Sequence, residues 1–205
     1  MKSINKIIVL FLTLTLLTPI LSTAKGRQDN GGNNRQSVAT ELYPEEESTL
    51  LWMREEEKLA RDVYLAMDDQ WNKQVFRNIA SSEQSHMNAV LRKINLFGLS
   101  DPVLPDRGEF YSDELQFLYD SLVIKGQQSY IDALEVGATI EDLDIADLIR
   151  AITATDNLAL KTTYERLLEG SKNHLRAFIG LLQQQGIDYQ PEYISQELFD
   201  AIIDA

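Results

Sequence analysis

Glu83 and His86 lie three residues apart in the run NIASSEQSHMNAVL, residues 78–91. At that spacing two side chains of one helix lean from the same face toward a single point. A carboxylate and an imidazole converging in this way suit a divalent metal ion of hard or borderline character. Ile79, Val90 and Ile94 share the same face, so the two polar groups interrupt an apolar stripe. A buried carboxylate or imidazole is costly unless something pairs with it, so this face is either wet or holds a partner.

The same interruption recurs wherever the chain has helical periodicity. One stripe runs Leu50, Met53, Glu57, Ala60, Tyr64, Met67. Another runs Leu134, Ala138, Glu141, Ile145, Leu148, and a third Tyr164, Leu167, Ser171, His174, Phe178, Leu181. Together with Glu83 and His86, the inward positions gather Glu57, Glu141 and His174: three carboxylates and two imidazoles, an inventory suited to iron, manganese or zinc. The chain has 2 histidines in all, and both fall on these stripes. Tyr64 on the first stripe reads as core, with a hydrogen-bonding or radical-relay role beside the metal as the alternative.

To bring those residues together, the sequence must supply four long helices. Periodicity predicts them over about 46–70, 73–97, 127–153 and 156–185, with no alternation of the kind a strand needs. The first opens through PEEES, whose acids suit a helix N-terminus. The second stops at Gly98. The prolines and glycine of LSDPVLPDRGEFYSD then demand a loop, followed by a short helix ELQFLYDSLVIKG ending at Gly126. The last 17 or so residues, YQPEYISQELFDAIIDA, read as an extended piece and a short helix packed on the rest. Two close helical hairpins joined by one long crossover predict an all-α, ferritin-like four-helix bundle, with the crossover between helices two and three carrying a short extra helix.

Four runs carry a resemblance: EEKLARDVY (56–64), NIASSEQSH (78–86), LEVGATIEDLDIADL (134–148) and GSKNHLRAF (170–178). In combination they resemble the DUF2202 family of the ferritin-like superfamily, over about residues 45–200. The resemblance implies that Glu57 matches the helix-one ligand of rubrerythrin-type sites and that Glu83 and His86 match the Glu-x-x-His of helix two. It likewise implies that Glu141 matches the helix-three carboxylate and His174 the histidine of helix four. One position departs: SKNH puts Ser171 where a bridging carboxylate belongs. A single ion, a weakly held pair, or recruitment of Asp144 or Glu135 all fit this departure, although both acids lie off the chosen stripe and are expected in solvent.

Three functions follow. The first is a non-haem iron or manganese site, of one or two ions, that reacts with dioxygen or peroxide. The second is a bundle that sequesters or senses metal without turnover. The third has no metal: its inward carboxylates are satisfied by tyrosine hydroxyls and by Arg54, Arg61, Arg77 or Arg166, and the bundle serves as an interaction domain. A homodimer is compatible with each. No Gly-rich phosphate loop is present, and two histidines with no cysteine give a nucleophilic triad little support.

The ends and the charge set the context. MKSINK followed by IIVLFLTLTLLTPIL and STA reads as a signal peptide over residues 1–24. Residues 25–41, polar and rich in Gly and Asn, read as a linker, and the domain is expected over 42–205. Export to the periplasm or cell exterior follows, with no membrane attachment after cleavage. The absence of cysteine removes disulfides and thiolate metal sites. The net charge is −13, and loss of residues 1–24, which hold Lys2 and Lys6 and no acid, leaves −15. Such a surface argues against nucleic acid and suits cations.

Overall fold

The computed structural model describes residues 41–205. The expected signal peptide and nearly all of the expected linker lie outside the described residues. Six helices and no strand occur among the described residues: α1 Pro44–Trp71, α2 Gln74–Leu96, α3 Asp113–Gly126, α4 Tyr130–Ala154, α5 Leu158–Gln184 and α6 Gln196–Ile203. None of them is long and apolar enough to cross a membrane.

Local chemistry fixes the ends. Pro44 opens α1, and Glu46 reaches back to accept the Tyr43 N–H at 3.0 Å. The helix closes at Asn72, whose φ of 49° turns the chain so tightly that α2 begins two residues later. Ser112, Ser129, Asn157 and Ser195 cap α3, α4, α5 and α6, each accepting from a backbone N–H of the first turn. Capping by Ser129 is why α4 starts at residue 130, three residues later than its periodicity suggests.

α1 packs mainly on α2, and α4 on α5, as two hairpins; α2 against α5 and α1 against α4 complete the enclosure. Between the hairpins, the crossover of residues 97–129 carries α3, which covers the outer sides of α1 and α4. Both of those helices are therefore buried on more than one face. Residues 53–60 of α1 and 140–148 of α4 are buried without interruption.

Buried charges pin the crossover to α1. Arg54 makes a bidentate pair with Asp101 at 3.0 and 2.9 Å. Lys58 Nζ donates to Asp62 at 2.7 Å and to the carbonyls of Asp106 and Glu109 at 2.9 and 3.0 Å, with the Phe110 ring 4.4 Å away. Asp142 ties down the C-terminal segment, accepting the N–H groups of Glu192, Tyr193 and Ile194 and the Tyr189 hydroxyl.

Candidate metal centre

The five inward residues meet midway along the helices. α1 supplies Glu57, α2 supplies Glu83 and His86, α4 supplies Glu141 and α5 supplies His174. Their donor atoms fall into two groups in which all atoms lie within 4.8 Å of one another: Glu57, Glu83 and His86, and Glu83, Glu141 and His174. Glu83 belongs to both. Its Oε2 is 2.8 Å from His86 Nδ1 and its Oε1 is 2.7 Å from His174 Nδ1. Glu57 Oε2 stands 3.2 Å from His86 Nδ1, and Glu141 Oε2 stands 3.5 Å from His174 Nδ1. The two imidazoles stack with centroids 5.5 Å apart.

Neighbouring groups orient these side chains. Tyr64 donates to Glu141 Oε1 at 2.5 Å, so this tyrosine is more than core filling. Ser82 Oγ lies 2.9 Å from His174 Nε2, and with Nε2–H donating to that oxygen the neutral ring turns its Nδ1 lone pair toward the carboxylates. Gly170 lets α5 close over His86, since a Cβ at that position would meet Nε2 at 2.4 Å.

Two more carboxylates are present that a single stripe per helix does not predict. Asp144, expected in solvent, is buried, and its Oδ2 pairs with the Ser171 hydroxyl. It lies three residues after Glu141, the same spacing that marks Glu83 and His86, so the signal for it was in the sequence. Glu56 is buried because α3 covers that side of α1. It borders a cavity of about 20 Å³ lined by Leu59, Leu118, Leu122, Ile140 and Leu143. Glu135, the other acid considered, is half-exposed and pairs with Lys125 at 3.2 Å. Leu181 is only half-buried; Leu182 takes the core position instead.

So many acids in so little water cannot all carry charge unaided. Burial, and then the Asp144 charge, push Glu57 and Glu56 well up. Burial and the Glu141 charge push Asp144 up to about 7. Burial, joined by the charge of Glu83, also raises Glu141 despite His174 and Tyr64. Burial would raise Glu83 as well, but hydrogen bonds from His174 and His86 hold it far below the usual carboxylate range. Burial opposes the charged form of both histidines; Glu57 overrides it to push His86 up to about 12, and Glu141 does so to push His174 up to about 10. Even with both rings charged, the polar groups are not satisfied. Glu57 Oε1, Glu83 Oε1, His174 Nδ1 and Asp144 Oδ1 are buried and make no hydrogen bond of ordinary geometry. Glu83 Oε1 and His174 Nδ1 face each other at 2.7 Å as an ion pair, whereas Glu57 Oε1 and Asp144 Oδ1 have no partner, and buried donor atoms of these types are ones a cation can take.

Three of the four arginines named as metal-free partners are engaged elsewhere, and the fourth, Arg166, is exposed. Arg54 holds Asp101, Arg61 holds Asp62 and Gln84, and Arg77 holds Asp68 and Asn72.

The fold and this cluster define an all-α protein with a buried carboxylate–histidine centre. Residues 46–205 match the family model of an uncharacterised protein domain, DUF2202, and the chain belongs to that family. It is 51% identical over 163 residues to the uncharacterised protein MJ0754 of Methanocaldococcus jannaschii, which spans 79% of this chain and 88% of the relative. The crystal structure of the hypothetical protein MJ0754 from Methanococcus jannaschii superimposes with a TM-score of 0.79 at 45% identity, covering 89% of this chain and 98% of that one.

Proposed function

We propose that the protein is a ferritin-like four-helix bundle that holds non-haem iron, or manganese, between its helices and reacts with dioxygen or peroxide. The observation that carries this reading is the convergence of buried carboxylate and imidazole donor atoms on Glu83, each of a kind that ligates such ions, with Glu57 Oε1 left without a hydrogen-bond partner. Zinc fits the donors equally well but supplies no redox chemistry. A bound iron or manganese ion would supply one-electron steps to the oxidant.

The chain's own part is positional. Glu57, Glu83, Glu141, His86 and His174 would hold the ion, the histidines offering the Nδ1 atoms that face the carboxylates. Tyr64 and Ser82 fix the orientation of Glu141 and His174, as groups behind metal ligands commonly do. The apolar helix faces exclude bulk water, so the oxidant meets the ion rather than solvent. The reading includes the exported location expected from residues 1–24.

The test is anaerobic reconstitution of the purified protein with ferrous iron, beside the His86→Gln/His174→Gln variant, followed by elemental analysis and admission of dioxygen. At least one iron per chain, lost in the variant, together with dioxygen uptake as the iron is oxidised, is the expected result. Bound metal without dioxygen uptake would favour sequestration. No iron, manganese or zinc in either protein would overturn the metal reading.

A further inference from the structure

Ser171 is the position at which the cluster departs from a symmetric set of ligands. It lies three residues before His174 on α5, fully buried, and carries a hydroxyl in place of a carboxylate. A carboxylate nevertheless stands beside it, outside the two groups of mutually close donor atoms. Asp144, one turn after Glu141 on α4, reaches across to Ser171 and pairs with it through Oδ2. Its other oxygen, Oδ1, is buried and makes no hydrogen bond. The small side chain at 171 leaves room for this reach, and its hydroxyl fixes the carboxylate's direction.

Taking the metal-binding reading as given, we propose that the centre binds two ions, and that Asp144, oriented by Ser171, supplies the second carboxylate shared between them. One further observation supports two ions rather than one, and charge supports the part given to Asp144. Glu83 presents different oxygens to different imidazoles, Oε2 to His86 and Oε1 to His174, which is how a carboxylate bridges a pair. Charge agrees as well. Glu57, Glu83, Glu141 and Asp144 neutralise two divalent cations beside neutral imidazoles, whereas the set without Asp144 leaves a buried positive charge, which is unfavourable.

Manganese(II) tests this, because it does not need exclusion of oxygen and reports its neighbours by electron paramagnetic resonance. The purified protein should bind two manganese ions per chain with the broadened signal of an exchange-coupled pair. Asp144→Asn keeps the shape and can still bond Ser171; it should bind one ion and show the resolved six-line spectrum of an isolated centre. Ser171→Ala should leave the first ion's affinity unchanged and weaken the second about tenfold or more, the usual effect of losing an orienting group. In the variant Asp144→Ala/Ser171→Glu the carboxylate is placed on α5, and two coupled ions should reappear, which also guards against misfolding as the explanation of the loss. Two coupled ions in Asp144→Asn would overturn the proposal. One ion in the unaltered protein would overturn it while leaving the metal-binding reading intact, and no ion at all would remove both.

Discussion

Helix α1 buries charge on two sides, and the two sides differ in how completely that charge is satisfied. Toward the crossover, Lys58 uses its three hydrogens on Asp62 and two carbonyls. Asp62 in turn receives Lys58, Arg61 and the Gly108 N–H. Toward the other long helices, Glu57 pairs one oxygen with His86 and keeps the other unpaired, and the nearby Asp144 also carries an unpaired oxygen. Burial is equally deep on both sides, so depth alone does not separate structure from function. What separates the Lys58–Asp62 set from the carboxylate–histidine set is whether the hydrogen bonding closes within the protein. That closure is local to Lys58 and Asp62, since Arg54 Nη1 on the same side is buried without a hydrogen-bond partner. A closed set fixes a loop; an open set of ligand atoms calls for something from outside.

The largest expected effect breaks the closed side. Lys58→Met strands Asp62 and two backbone carbonyls, and removal of one partner from a buried pair costs about 3–5 kcal/mol. Denaturant unfolding of the metal-free protein should show a loss of that order, while any folded fraction keeps its metal content. A loss under about 1 kcal/mol would mean the crossover is held by its apolar contacts instead.

The open side should respond to pH. His86 and His174 are raised from 6.5 to about 12 and about 10 in the folded protein, so their contribution to metal-free stability is complete below about pH 6.5. It fades as pH rises through about 10 and then about 12. Unfolding midpoints of the metal-free protein should therefore fall across that window, and should fall less in His86→Gln/His174→Gln. The same protons must leave when a cation binds, so loading zinc at neutral pH in weak buffer should release acid, and apparent affinity should rise with pH. Loading without proton release would place the ion elsewhere.

Smaller effects sharpen the contrast. Tyr64→Phe removes the donor to Glu141 and should cost about 1–3 kcal/mol through an unsatisfied buried carboxylate, with weaker metal binding on the His174 side. Calorimetric titration on the folded variant would detect the second part. Glu135→Gln, in a half-exposed pair with Lys125, should stay within about 0.5 kcal/mol and leave metal stoichiometry unchanged. Any loss of metal there would bring Glu135 back as a ligand.

Much of this was legible in the sequence because helical periodicity and ligand spacing obey the same geometry. The four long helices, the crossover with its short helix, and all five stripe residues at the centre follow from positions three and four apart. Glu56 is missed, and Asp144, though named as a possible recruit, is placed in solvent, for one reason: each helix is given a single buried stripe. α1 and α4 are covered on several sides by α3 and by their neighbours, so acids off the stripe are also buried. That covering depends on where the crossover lands, which no local pattern reveals. Steps of three and of four after Glu141 reach Asp144 and Ile145, and the apolar side chain at 145 fits a core stripe better than the carboxylate beside it.

The division of ligands between the hairpins has a consequence for time as well as affinity. Glu57, Glu83 and His86 all come from the α1–α2 hairpin, whereas the group of Glu83, Glu141 and His174 draws on both hairpins. An ion in the first group is held within one half of the molecule. An ion in the second is a staple between halves that the chain joins only through the long crossover. The two hairpins could then part only after that ion had gone, so its residence time would set a floor under the lifetime of the folded state.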